Sequence, residues 1–147
     1  MSVTDQTAFA WQRALAAEFA AAFAYGSLGP HVTAAAQIEL ARACEEAHRD
    51  AATSAAASLS AAGRTPVDPE PSYSLPFAIT DEATARQLAL HVETAAAQAW
   101  RYLISVEEAP ADVRVSALAA LTATAERAVR WRELIDPDAP STPFPGI

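Results

Sequence analysis

Two residue types that bind metal ions stand three residues apart in the stretch "CEEAHRDA", residues 44–51. Residues three or four apart share one face of a helix, so Glu45 and His48 would project together. A carboxylate and an imidazole are ligands that Fe(II) and Mn(II) accept in proteins. The stretch therefore contains either half of a metal site that faces a helical core or a charged patch that faces water.

The pattern around this pair favours the inward alternative. At helical spacing from Glu45 and His48 the neighbours are apolar, among them Ile38, Ala41 and Ala52. The other charged residues of the segment fall on the opposite side. A carboxylate inside an apolar stripe needs a partner, because an unpaired buried charge costs much free energy.

Three more glutamates have apolar neighbours at helical spacing: Glu18, Glu93 and Glu126. Glu126 differs from the others because Arg130 and Glu133 lie on the same side of its helix. One inward glutamate from each of four helices is the layout of a carboxylate-bridged site for two metal ions. Two divalent cations would balance four carboxylates, which would otherwise raise one another's pKa.

Four helices would position these residues. Alanine is the commonest residue and the best helix former. We predict helices from Thr4 or Asp5 to about Tyr25, over about 32–62, from 80–82 to about 107, and over about 111–135. The expected domain is a bundle over 1–135, followed by a Pro-rich C-terminal tail over 136–147.

The lengths of the connections predict the topology. Short links join the first two helices and the last two, which makes each pair antiparallel. The Pro-rich link over 63–79 can reach the far end of the bundle, so we expect two antiparallel hairpins joined by a long crossover. The alternative is a loose loop on a simple up-down bundle. In both cases the fold class is all-α.

Charge and composition exclude several partners. A net charge of −8 disfavours nucleic acid and anionic membrane surfaces. No apolar run is long enough to span a membrane. The single Cys44 excludes an intrachain disulfide, and no secretory leader is recognisable, so we expect a cytoplasmic protein.

At this point the chain resembles the ferritin-like superfamily. Glu18 followed by Tyr25, the pair Glu45-x-x-His48, and Glu93 are similar to its signature residues. More closely, the whole chain looks like a ferritin-like domain family of unassigned function from high-GC bacteria. The stretches that carry this resemblance are "ALAAEFAAAFAYG", "CEEAHRDA", "PSYSLPF", "RAVRWRE" and "PFPG". The resemblance implies a ferritin-like four-helix bundle and no established activity.

The candidate metal ligands are Glu18, Glu45, His48, Glu93 and Glu126, and Fe or Mn would suit them. The set is incomplete, because Val129 stands where a second Glu-x-x-His would place its histidine. The site could hold one metal ion, hold two weakly, or be a relic in which the acidic and imidazole groups only bond to each other. Core packing is the simpler explanation of Tyr25 and Trp100, and the alternative is a redox role or a contact with the metal ligands. Ion pairs within helix four explain its arginines.

Three functions remain open at this stage, and the sequence does not decide whether the protein is an enzyme. The first is a small non-redox or weakly metal-binding protein with a degenerate site. The second is a non-haem di-iron or manganese oxidoreductase, and the third is a metal-storage protein. Apolar residues in excess of one core, such as Trp11 and Trp131, predict a homodimer.

Overall fold

The computed structural model describes residues 2–147 and contains four long helices. They are α1 (Asp5–Leu28), α2 (Ala35–Ala61), α3 (Glu82–Ser105) and α4 (Ala111–Ile135), with a short 3-10 turn at Gly29–His31. The described residues form no strand, so the all-α four-helix prediction is confirmed.

Side-chain caps begin two of the helices. The Thr4 hydroxyl accepts a hydrogen bond from the Thr7 backbone N–H at 3.2 Å at the start of α1. At the start of α3, Asp81 and Thr84 form a reciprocal capping box. Such caps satisfy N–H groups that have no partner within the helix, and both lie where the sequence predicts a helix to begin.

The first helix is longer than the sequence predicts. We expected it to stop at Tyr25 because Gly26 follows, but α1 continues to Leu28. Leu28 is fully buried, and burying a leucine side chain contributes about 1.5–3 kcal/mol. That gain exceeds the roughly 0.5–1 kcal/mol that a glycine costs inside a helix.

Contacts at the two ends of the bundle define the connection between the hairpins. Arg64, just after α2, donates to Asp5 at the start of α1, at 2.8 Å. Thr33, just before α2, donates to Glu82 at the start of α3, at 3.3 Å. The segment between α2 and α3 therefore travels the length of the bundle, as the crossover prediction requires. Consequently α3 runs antiparallel to α1.

The apolar core consists of two layers. One surrounds Leu15, Leu59 and Leu103, and the other surrounds Leu28 and Leu88. Along each of α1, α2 and α3, a buried polar residue separates the part of the helix in one layer from the part in the other. These residues are Glu18, His48 and Glu93. The middle of the bundle is therefore polar, whereas both ends are apolar.

Residues 136–147 follow α4 as an irregular segment, called the tail here. Arg132 donates to the carbonyl oxygen of Pro140 at 3.2 Å, which holds the tail against α4. The division of the chain into a bundle over 1–135 and a separate tail over 136–147 stays a prediction. Over residues 2–147, every helix is too short or too polar to cross a membrane.

Candidate functional site

Three of the five predicted ligands meet in the middle of the bundle. His48 on α2 lies between Glu18 on α1 and Glu93 on α3, and all three are fully buried. Its Nδ1 is 2.5 Å from Glu18 Oε2, and its Nε2 is 3.0 Å from Glu93 Oε1. The imidazole therefore bridges two carboxylates that come from different helices.

An aromatic donor completes the contacts of each carboxylate. The Trp100 indole N–H donates to Glu18 Oε1 at 2.5 Å, and the Tyr25 hydroxyl donates to Glu93 Oε1 at 2.7 Å. Glu18 and Tyr25 are two turns apart on α1, as are Glu93 and Trp100 on α3. Because α1 and α3 are antiparallel, each glutamate lies level with the aromatic donor of the other helix.

The fourth helix contributes a cation. Arg127 Nε lies 3.2 Å from both Oε1 and Oε2 of Glu93. Its Nη2 donates to the hydroxyl of Thr124 at 3.2 Å, and its side chain is only 16% exposed. The central cluster is defined here as the following six residues: Glu18, Tyr25, His48, Glu93, Trp100 and Arg127.

The environment of His48 favours its charged form. Burial alone would lower the pKa of His48, but the hydrogen bonds to Glu18 and Glu93 and the charges of these carboxylates raise it from 6.5 to about 9. The imidazole is therefore protonated at neutral pH. With the guanidinium of Arg127 always charged, two cations balance two anions, and the central cluster is neutral.

Tyr25, a member of the central cluster, and Cys44 beside it also remain protonated at neutral pH. Burial and the negative charge of Glu93 raise the pKa of Tyr25 well above its ordinary value. The same two causes raise the pKa of the Cys44 thiol. A thiol must lose its proton to act as a nucleophile or a metal ligand, so Cys44 is a small buried side chain in this setting.

Glu45 lies outside the central cluster. Its carboxylate accepts from Arg49 at 2.8 Å, and its side chain is 28% exposed. The buried stripe of α2 passes through Cys44 and His48. Glu45 comes one residue later than Cys44, which turns its side chain toward the edge of the helix pair. The sequence-based placement of Glu45 on the buried face therefore differs from the structure.

Glu126 also lies outside the central cluster, on the surface of α4. The buried residues of α4 include Thr124 and Ala128, and the side chain that reaches Glu93 is Arg127. Glu126 and Val129 instead line a cavity between α4 and the tail. The side chain of α4 that reaches the central cluster is therefore the guanidinium of Arg127, and not the carboxylate of the preceding residue, Glu126.

Two contacts of the central cluster differ from the favoured sequence-based expectation. The sequence predicts that Arg127 forms ion pairs within α4, but in the structure it pairs with Glu93 on α3. The sequence favours core packing over a contact with the site for Trp100; in the structure Trp100 is buried and also donates to Glu18. One signal was available for Trp100, because the spacing of Glu93 and Trp100 repeats that of Glu18 and Tyr25.

The donor atoms of the central cluster face one another. Both ring nitrogens of His48 and both oxygens of Glu93 have protein partners. Within residues 2–147, no group of three or more His, Cys, Asp or Glu side chains has the arrangement of a metal site. A metal ion needs lone pairs directed at one common point, which this arrangement does not offer. Metal binding by the five predicted residues stays a prediction.

Comparisons with known proteins match the chain to a family and to solved structures. The family described as "Domain of unknown function (DUF4439)" matches residues 10–147. The chain is also similar to the crystal structure of a conserved hypothetical protein, rv2844, from Mycobacterium tuberculosis. The two chains are 32% identical with a TM-score of 0.84, over 90% of this chain and 99% of the other. No curated protein matches the chain.

Proposed function

The chain belongs to the family of the domain of unknown function DUF4439, and from that premise we propose that it is a ferritin-like, non-redox bundle whose central cluster works without metal. The observation that carries this proposal is the contact of Arg127 with both oxygens of Glu93. The guanidinium lies against the carboxylate that a metal ion would otherwise bind.

The charges of the central cluster support this proposal. In a carboxylate-bridged two-metal bundle, four glutamates surround two divalent cations. Of the four glutamates that the sequence predicts to face inward, only Glu18 and Glu93 are buried in the described part of the chain. Arg127 and His48 supply the two positive charges. A divalent ion added to this arrangement would meet two cations at short range and would have to displace them.

The hydrogen bonds of His48 support the same reading. An imidazole binds metal only when it is neutral and has a free nitrogen lone pair. Glu18 and Glu93 occupy both ring nitrogens. Metal binding would therefore require His48 to lose a proton and to break at least one of these contacts.

The connectivity supports assignment to the ferritin-like superfamily. Two antiparallel hairpins joined by one long crossover distinguish ferritin-like folds from simple up-down bundles. The contacts Arg64–Asp5 and Thr33–Glu82 give this connectivity. The superfamily offers a scaffold for many functions, so function must be argued from the site.

The role that we propose for the central cluster is to fix the register of the four helices. Alanine-rich faces are flat and interchangeable, so they specify little about how helices align. Specific contacts among Glu18, His48, Glu93 and Arg127 tie each helix to one height in the bundle. Buried polar groups serve such a registering role in some coiled coils.

We further propose that the bundle functions as a homodimer. Several large apolar side chains are exposed, including Phe9 at 57% and Val115 at 68%. Exposed apolar patches on a small domain commonly form interfaces. Sedimentation velocity at micromolar concentration tests this proposal: a species of twice the chain mass is expected, and a monomer would contradict it.

Metal content after reconstitution tests the central proposal. The purified chain is incubated with Fe(II) or Mn(II) without oxygen, desalted and analysed by elemental mass spectrometry, beside Glu18→Ala. We expect substoichiometric metal in both proteins. Stoichiometric metal in the unmodified chain that is lost in Glu18→Ala would overturn the proposal.

A second candidate function is a non-haem iron or manganese oxidoreductase. The observation that favours it is the convergence of Glu18, His48 and Glu93 in one buried place. This function requires Arg127 to leave Glu93. Metal storage is a third candidate with the same requirement. The reconstitution experiment separates both from the first, because each of them needs bound metal.

A further inference from the structure

A cavity of about 620 Å³ lies between the outer face of α4, part of α3 and the tail. It is called the tail pocket here. Small-molecule sites commonly have volumes of about 300–1,000 Å³. Its walls include the apolar side chains of Leu118, Leu121, Val129, Phe144 and Ile147. None of the six residues of the central cluster lines it.

The tail is held in a way that keeps this pocket open. Arg132 donates to the Pro140 carbonyl oxygen at 3.2 Å. Gly146 has a φ of +80°, and a Cβ atom placed on it would lie 2.8 Å from the carbonyl oxygen of Ala97. Only glycine permits both that backbone conformation and that approach. These two attachment points hold the tail beside α4 and α3, and the pocket lies between them.

The apolar walls of the pocket remain accessible. Leu118 is 55% exposed, Phe144 is 66% exposed and Ile147 is 74% exposed. Each apolar Å² covered by a ligand contributes about 25 cal/mol. A ligand with an apolar body would therefore gain free energy by filling the space between the tail and α4.

The charges at the pocket give the ligand its sign. Glu126 lines the pocket, is exposed, and forms no hydrogen bond or ion pair with any residue of 2–147. The basic residue that lines the same pocket, Arg132, stays charged, but its guanidinium is directed to the tail, where it donates to the Pro140 carbonyl oxygen. The chain as a whole carries a net charge of −8. The free carboxylate of Glu126, in a chain of this net charge, favours a cationic ligand over an anionic one.

We propose that the tail pocket binds a small amphipathic amine. Its apolar body packs between Val129 on α4 and Phe144 on the tail, and its ammonium group pairs with Glu126. This proposal does not depend on whether the central cluster binds metal, because the two sites share no residue.

Calorimetric titration of the whole chain with decylamine, below its micelle concentration, tests this proposal. Decanol and decanoate are the matched probes, because they keep the apolar body and change the polar end. We expect saturable binding of decylamine at one site, weaker binding of decanol and the weakest binding of decanoate. Equal or tighter binding of decanoate would overturn the assignment of charge.

Variants locate the binding site. Glu126→Gln should weaken decylamine binding by about fivefold, the effect of one exposed ion pair. Glu133→Gln is the matched control, because it removes an exposed charge from the same helix outside the pocket, and it should leave binding unchanged. Equal weakening by both variants would show only attraction to an acidic protein and would overturn the proposal.

Filling the pocket provides a second criterion. Val129→Trp should abolish binding of decylamine and decanol, whereas Glu133→Trp, at an exposed position of the same helix outside the pocket, should not. Thermal unfolding followed by circular dichroism checks that both variants fold. Retained binding in a folded Val129→Trp variant would overturn the proposal. A second result would also overturn the proposal: the unmodified chain is a dimer that does not bind decylamine, and Val129→Trp is a monomer. The pocket would then be an interface between two copies of the chain.

Discussion

The central cluster and the tail pocket are built from neighbouring residues of α4, yet they have opposite character. Arg127 reaches inward to Glu93, whereas Glu126 lies on the surface beside the tail. The central cluster is closed, and its charges are paired with one another. The tail pocket is open and apolar, with one unpaired carboxylate. Adjacent helical residues point about 100° apart, so one step along α4 separates the two environments.

This difference indicates how the molecule divides its tasks. Charges that are buried and fully paired hold helices in place, and they leave no atom free for a ligand. A preformed apolar cavity with an unpaired charge has free surface to offer a ligand. We therefore assign structural order to the central cluster and recognition to the tail pocket.

Removal of Arg127 should have the largest effect on stability. Arg127→Ala leaves Glu93 buried with too little positive charge, and breaking a buried ion pair in this way costs about 3–5 kcal/mol. Urea unfolding measures the loss. Arg130→Ala is the matched control, because Arg130 is exposed on the same helix, and it should change stability by less than about 0.5 kcal/mol. An equal loss of stability in the two variants would mean that the contact of Arg127 with Glu93 does not stabilise the fold.

Stability should fall as pH rises through the range in which His48 loses its proton. The folded-state pKa of about 9 exceeds the usual 6.5. The contribution of charged His48 is therefore complete below pH 6.5 and lost by about pH 9, and it amounts to about 3 kcal/mol at most. Urea unfolding across this range measures it.

The control for this pH dependence is His48→Gln. Tyr25 and Cys44 also titrate at high pH, and this variant retains both. It should be less stable at neutral pH but should show a flatter dependence between pH 6.5 and pH 9. If the free energy of unfolding of the unmodified chain and of His48→Gln changed with pH in the same way, His48 would not be charged in the folded state.

Loss of the indole hydrogen bond should have an intermediate effect. Trp100→Phe leaves Glu18 Oε1 without its donor, and hydrogen bonds to charged groups contribute about 1.5–3 kcal/mol. Trp11→Phe removes a similar volume from a side chain that is also buried. The difference between the two variants in urea unfolding isolates the hydrogen bond, and no difference would contradict its role.

A change at Gly146 should have the smallest effect on the bundle and a clear effect on the tail. Gly146→Ala imposes strain of about 1–2 kcal/mol at a positive φ and a clash with Ala97. Hydrogen exchange of the tail should become faster while the urea midpoint stays unchanged. Gly29→Ala is the control, because a Cβ atom there meets no neighbour within 4 Å. Unchanged exchange in Gly146→Ala would mean that the tail is not held at that residue.

The sequence predicts the helices well and their inward faces less well. Caps at Thr4 and Asp81 mark two helix starts, and α4 has the predicted bounds. On alanine-rich helices, however, small residues occur on every side, so the pattern fixes the period but not the rotation of the helix. That ambiguity explains why Cys44 replaces Glu45 in the buried stripe of α2.

The side-chain contacts between different helices could not be predicted from the sequence either. Spacing along one helix predicted that Glu18 and Glu93 point inward, and both are buried. It could not predict that Arg127 would reach Glu93, because that contact depends on the height and rotation of α4 relative to α3. The charge balance of the central cluster therefore becomes evident only in three dimensions.

The protonation of His48 tests the central claim most directly. Nitrogen NMR of histidine-labelled protein, assigned with His48→Gln, reports whether each ring nitrogen carries a proton. We predict that Nδ1 and Nε2 are both protonated at neutral pH, and that added Fe(II) or Mn(II) leaves their signals unchanged. A neutral imidazole at neutral pH, or selective broadening of the His48 signals by either metal, would contradict a cluster balanced by its own side chains.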